Sequence, residues 1–258
     1  MFTHVRANLC LLVLTLLLCC VLYPLVLWGA GRAFFAAQAD GSLIADPDGK
    51  PVGSRLIAQS FNGDEWFQPR PSAASYNAAA SGASNWGASN PLLRDRVARQ
   101  LGPLVKYAGG PKKGQVVGPD VEAWFREKPD RASAWAKDHP TLAGAWVKSD
   151  DLLKTYVTKW TAEHPDVELE QVPADAVMAS GSGLDPHVTL RNARWQLDRV
   201  VAARSATEAD RPGVRQRAEA LLEAAAFTPL GGLAGAEPLV NVLEVNLALE
   251  RELPRPAR

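Results

Sequence analysis

Cysteine is nearly absent from this chain: 258 residues hold three, Cys10, Cys19 and Cys20, all within the first twenty positions. Everything beyond them has no disulfide framework, so what folds there must be held by a hydrophobic core. Histidine is scarce too. His4, His139, His164 and His187 are too scattered for a metal-binding signature, so no metal is expected. Neither sign of charge is in excess, with 28 Lys and Arg against 28 Asp and Glu. That removes the basic field nucleic acid needs and the acidic bulk that keeps chains disordered. A glycine-rich loop ending in Lys-Ser/Thr is also missing. The nearest glycine cluster, Ser180-Gly181-Ser182-Gly183, runs on into Leu184-Asp185. No phosphate-binding lysine follows it, so the sequence carries no nucleotide motif and no catalytic one. Adjacent acids such as Asp64-Glu65 and Asp150-Asp151 read as solvated surface.

What is present begins with an uncharged stretch. Ala7 to Gly31 contains no Asp, Glu, Lys or Arg and is mostly Leu, Val and Cys. About 25 residues at ~1.5 Å each make a helix of about 37 Å, enough to cross a ~30 Å hydrocarbon layer. Tyr23 and Trp28 lie toward its end, where amphipathic rings favour the membrane interface. A cleaved signal peptide is the competing reading, with Ala37-Gln38-Ala39 as the cleavage pattern. The apolar run far exceeds the ~7–15 residues of a signal h-region, which favours an uncleaved anchor. Arg6 alone supports a cytoplasmic N-terminus, and a long following domain can translocate whatever its charge.

Ser42–Ala45 and Val52–Gln59 flank Asp46-Pro47-Asp48-Gly49, which predicts a β-hairpin. Residues 60–90 are rich in Ser, Ala, Asn, Gly and Pro. They also hold Phe61, Trp66, Phe67, Tyr76 and Trp86, and these rings argue for an ordered loop over a linker. Asn90-Pro91 opens a helix expected to reach about Val105. Ala123-Trp124, Ala134-Trp135 and Ala145-Trp146 recur every eleven residues. Pro129 and Pro140 break any continuous helix there, so three short helices each offering a Trp to a core are expected. Lys148–Glu163 reads as a helix and Ala174–Ala179 as a strand. Thr189–Arg204 and Pro212–Phe227 read as helices. Leu239–Leu249 reads as a strand passing into a short helix.

Several stretches resemble the C subunit of the potassium-transporting P-type ATPase, the Kdp system. They are Gly53-Ser54-Arg55-Leu56-Ile57-Ala58-Gln59 with Phe61, Arg70-Pro71-Ser72-Ala73, Tyr76-Asn77, and Ala80-Ser81-Gly82 through Ser89-Asn90-Pro91. Ala179-Ser180-Gly181-Ser182-Gly183-Leu184-Asp185-Pro186-His187 and Val240 through Leu249 complete the set. Trp66-Phe67-Gln68-Pro69 departs from the aromatic-Trp-Gly step usual in that family, and residues 108–172 are longer than it leads one to expect. The resemblance implies a non-catalytic accessory subunit of an ATP-driven potassium importer in the cell inner membrane. Its partners would be a channel-like subunit and the P-type ATPase subunit, whose affinity for ATP it would raise as a catalytic chaperone. ATP would enter only through that complex.

The resulting expectation is an α+β protein. Residues 1–6 would be cytoplasmic and 7–31 a transmembrane helix. A mixed α/β extracytoplasmic domain would follow in two parts, 32–107 and 173–258, around a helical Trp-rich insertion at 108–172. With Arg6 on the far side, 27 basic residues face 28 acidic ones, too even a balance to steer potassium. Arg70, Asn77, Asn85, Asp185 and His187 are the candidates for partner contact or loop ordering. In an ordering role Asp185 would bond local amides and Arg70 would bond carbonyls. The alternative from another class is an exported hydrolase or binding protein kept on a signal anchor.

Overall fold

The computed structural model describes residues 2–46, 48–128, 130, 131, 134, 137 and 157–255. Two compact units divide the chain, Met1–Leu56 and Ile57–Arg258.

The first unit opens with a helix that keeps going because nothing charged or capping stops it. It runs as α1 (Phe2–Leu16), a π-helical segment (Leu17–Leu22) and α2 (Tyr23–Phe34). His4–Phe34 is a 31-residue stretch of mean hydropathy 2.8, long and apolar enough to cross a membrane. None of its most apolar window is buried against the rest of the chain. The guanidinium of Arg32 bonds Asp40 at 2.9 Å where the helix ends. Ala37–Ala39 sits in a short helix, α3 (Ala36–Ala39). The hairpin follows as β1 (Leu43–Ala45) and β2 (Pro51–Ser54), paired antiparallel with an irregularity at Ile44/Ala45. Asp46 fixes the turn, its Oδ1 accepting from the N–H groups of Asp48 (3.0 Å) and Lys50 (2.8 Å).

The second unit is mostly helical, with less strand than a mixed α/β domain implies. Its helices are α4 (Pro91–Leu101), α5 (Gly118–Glu127), α6 (Val157–Glu163), α7 (Ala174–Val177), α8 (Leu190–Arg204), α9 (Arg211–Ala225) and α10 (Val242–Glu252). Its one sheet among the described residues is an antiparallel pair, β3 (His187–Thr189) and β4 (Leu239–Asn241). Each strand feeds straight into a helix through a capping side chain. Thr189 Oγ1 accepts from Asn192 N–H at 3.1 Å, and Asn241 Oδ1 accepts from Leu243 and Glu244 N–H at 3.1 and 3.3 Å.

Two corrections concern local structure. The run 174–179 is not a strand: Pro173 and Asp175 start the short helix α7, and Asp175 then bonds Thr189 N–H at 2.7 Å. The helix from Pro91 stops at Leu101: Gly102 still donates to Ala98 O, but Pro103 has no N–H to continue the ladder. Of the tryptophan row, Trp124 lies on α5. Trp135 and Trp146 lie outside the described residues, as does the first part of the helix read at Lys148–Glu163.

Two cores form in this unit. The first packs Leu197, Val200 and Val201 of α8 against Ala218 and Leu222 of α9 and Val245 and Leu249 of α10. The second gathers Val105, Tyr107, Val117, Val121, Trp124, Val157 and Trp160.

Candidate functional site

The first core holds an irregular strand of chain by its backbone, and the sequence reading did not anticipate how. Asn246 on α10 accepts from Phe67 N–H and donates to Phe67 O, both at 2.9 Å. Gln196 on α8 does the same for Gln68, at 2.7 and 3.0 Å. Two side-chain amides thus stand in for a neighbouring strand, satisfying four main-chain groups in an extended segment. Phe67 is driven inward as a result and is 1% exposed. Arg199 donates to Asp64 O (2.7 Å) and Trp66 O (2.9 Å). Arg204, its side chain fully buried, donates to Glu65 O (2.8 Å) and Leu253 O (2.6 Å) and pairs with Glu250 at 3.0 Å. Its guanidinium also lies 4.7 Å from the centre of the Trp66 ring. Burial lowers the pKa of both arginines, yet they stay charged at any ordinary pH. No local motif marks Asn246 or Gln196; each meets a residue far away in sequence.

This clamp leads the chain into Arg70-Pro71-Ser72, which is sewn to the glycine loop. Arg70 donates to Ala179 O at 3.2 Å and lies 3.8 Å from the Asp185 carboxylate. Ser72 Oγ donates to Gly183 O at 2.6 Å and accepts from the N–H groups of Ala74 and Tyr76. Ser180 N–H donates to Pro71 O, and Gly82 N–H to Ser182 O. The Tyr76 hydroxyl closes the circle on Arg70 O at 2.8 Å, and burial raises its pKa. Gly183 is the one residue type that fits its place. Its φ is +71°, and a Cβ there would meet Gly82 O at 2.6 Å and Ala74 Cβ at 2.9 Å.

Asp185 and His187 complete the cluster. Asp185 Oδ1 accepts from His187 N–H and faces His187 Nδ1, both at 3.0 Å. Burial pushes the Asp185 carboxyl up, but the two His187 hydrogen bonds and the charges of His187 and Arg70 outweigh it, so its pKa falls below the usual value. The His187 ring meets Phe227 edge to face at 5.4 Å between centres. Arg70, Asp185 and His187 therefore form one half-buried line. Asn77 and Asn85 do not join it by a hydrogen bond or ion pair among the described residues. Asn77 Oδ1 accepts from Ala79 N–H in its own turn, and Asn85 occupies the left-handed region at φ 53°.

Three amides of the glycine loop are taken up within the fold. The N–H groups of Ser180, Gly183 and Leu184 already donate to Pro71 O, Ser180 O and Ser182 Oγ. Among the described residues no group of three or more His, Cys, Asp or Glu gathers to hold a metal.

Comparison with known proteins gives a coherent result. The family model described as "K+-transporting ATPase, c chain" matches residues 5–122 and 102–251. A "Potassium-transporting ATPase KdpC subunit" from Pseudomonas syringae pv. tomato is 35% identical over 258 residues, covering 100% of this chain and 98% of that protein. A protein of the same name from Caulobacter vibrioides is 36% identical over 256 residues, covering 98% of this chain and 96% of its own length. One from Pseudomonas putida is 34% identical over 251 residues, covering 97% of each chain.

Proposed function

This chain belongs to the KdpC family of K+-transporting ATPase C chains, non-catalytic subunits of the Kdp ATPase, and on that footing we propose that it is a single-pass accessory subunit of a Kdp potassium importer in the cell inner membrane. In this reading the apolar helix anchors it with the N-terminus in the cytoplasm. The second unit is extracytoplasmic and braces the channel-like subunit, while the P-type subunit hydrolyses ATP. The observation that carries the reading is the unburied 31-residue helix joined to a family match along nearly the whole chain.

The subunit acts as a catalytic chaperone without holding nucleotide. An extracytoplasmic domain cannot touch cytoplasmic ATP, so any rise in the ATPase subunit's affinity is a coupling free energy. It is carried through the span and the partner subunits. The amides of Ser180, Gly183 and Leu184, already committed within the fold, support this reading. The cluster of Arg70, Asp185 and His187 orders the loop that faces a partner and performs no reaction.

Affinity purification of the tagged chain from native membranes tests the proposal. Two large membrane subunits should come with it, and a reporter fused after Arg258 should be active only outside the cytoplasm. Saturable ATP binding by the isolated, correctly oriented chain, or recovery of the chain alone, would refute it.

A further inference from the structure

The break in the membrane helix points beyond anchoring. In an α-helix the carbonyl of residue i accepts from the N–H of i+4, and in a π-helix from i+5. Tyr23 N–H donates to Leu18 O, the π pattern, and is therefore not available to Cys19. The next donor in line for Cys19 would be residue 24, and Pro24 has no N–H. The Cys19 carbonyl is left without a main-chain donor in either pattern.

Among the described residues no neighbouring side chain of the helix supplies one either. From Leu16 to Leu27 the one O–H or N–H side chain is Tyr23, whose hydroxyl sits at the far end of its ring and away from its own helix backbone. The Thr15 hydroxyl is spent on Leu11 O at 2.8 Å, a turn toward the N-terminus. The Cys20 thiol leans toward the preceding turn, as helical side chains do, and away from this carbonyl. The most apolar window of the helix is not buried against any other part of the chain. Cys19 is also the central residue of His4–Phe34, so bulk water is as far away as the span allows. An unpaired carbonyl at that depth is strongly disfavoured, because acyl chains offer no donor.

We propose that the π segment beside Pro24 is a docking point for a transmembrane helix of another subunit, which presents a side-chain hydrogen-bond donor to the Cys19 carbonyl. The small side chains of Cys19 and Cys20 let such a helix approach closely. The inference rests on the reading of the chain as a complex subunit.

Labelling this subunit with cysteine carrying a carbonyl-13C and 15N tests it directly. Cys19-Cys20 is the only Cys–Cys peptide in the sequence, so the doubly coupled signal in solid-state NMR is the Cys19 carbonyl alone. The lone subunit in a bilayer should show a carbonyl without a hydrogen bond, and the assembled complex a bonded one. A bonded signal in the lone subunit, or an unbonded one in an intact complex, overturns the inference and leaves the functional reading standing. Failure to form any complex overturns both. Pro24→Ala restores an N–H to the ladder and should weaken retention of the subunit in the complex about threefold to tenfold. Unchanged or stronger retention also counts against the docking point.

Discussion

Around Leu197, Leu222 and Leu249 the interior is aliphatic, with Phe67 its one fully buried aromatic among the described residues, and it reaches outward through buried amides and arginines to grip a loop. Around Val121 it is partly aromatic. Tyr107 meets Trp160 edge to face at 6.2 Å, Trp160 stacks on His164 at 4.6 Å, and Arg131 covers Trp124 at 3.9 Å. Its polar contacts lie at the rim, where Lys112, Asp120, Glu127 and Glu163 remain partly exposed. The difference separates two tasks. The first core fixes the shape of an irregular loop, so its polar groups are desolvated and costly to lose. The second encloses itself with large rings, and its ion pairs are screened and weak.

The largest effect is expected from Leu222→Ala. Leu222 is 0% exposed between α8 and α10, so the truncation should cost about 2–5 kcal/mol. Hydrogen exchange on the full chain in nanodiscs should show lost protection in α8, α9 and α10, with α5 and α6 much less affected. Equal loss in both regions would mean that they unfold as one and that the contrast between them has no energetic content.

Asn246→Ala comes next. It leaves the Phe67 N–H and carbonyl without partners inside the core, at about 2–4 kcal/mol for the two together once water reaches the loosened segment. Its signature is local: residues 63–72 should exchange faster, and Trp66 should lose its fixed place beside Arg204. A smaller cost, about 1–3 kcal/mol, is expected from Gly183→Ala, where a Cβ meets backbone and the positive φ is strained. Because Gly183 joins the glycine loop to Ser72 and Gly82, limited proteolysis should reveal cleavage near residues 74–85 before the helices open.

How much of this was legible in the sequence follows from the range of the interactions. The uncharged span, the Thr189 cap with its helix and the strand-to-helix change at Asn241 are written in neighbouring residues, and all were readable. The helix from Pro91 ends short of the expected Val105 because its apolar period runs on to Leu104 while Pro103 breaks the ladder. The segment at 174–179 was misread because four to six small apolar residues suit strand and helix alike; the Pro173 and Asp175 signals of a helix start decide it. The amide clamp was not legible at all. Gln196 lies 128 positions from Gln68 and Asn246 lies 179 from Phe67, and nothing in either neighbourhood announces the partner.

The smallest expected effect tests the second core through its pH dependence. Tyr107 is desolvated and donates to Asp120, whose charge further opposes ionisation, and its pKa rises from 10.0 to about 12. Asp120, held by hydrogen bonds from Lys112 and Tyr107, moves below its ordinary value. The fold therefore favours neutral Tyr107 and ionised Asp120. The Tyr107 contribution is complete below pH 10, where the unfolded chain is also protonated, and it is lost as pH rises toward about 12. The Asp120 contribution is present above the usual carboxylate range and is lost as pH falls through its lowered pKa. With Lys112 about half exposed and Asp120 about a third exposed, the Asp120 effect should stay below about 1 kcal/mol. Tyr76 also has a raised pKa and belongs to the loop of the first core, so wild type carries an alkaline step from both regions. Urea melts below pH 10 and near pH 12 should show a smaller alkaline loss in Tyr107→Phe, the remainder belonging to Tyr76. If Tyr107→Phe loses stability at high pH as steeply as wild type, the rim of the second core contributes nothing to the titration, and aromatic packing alone sustains it.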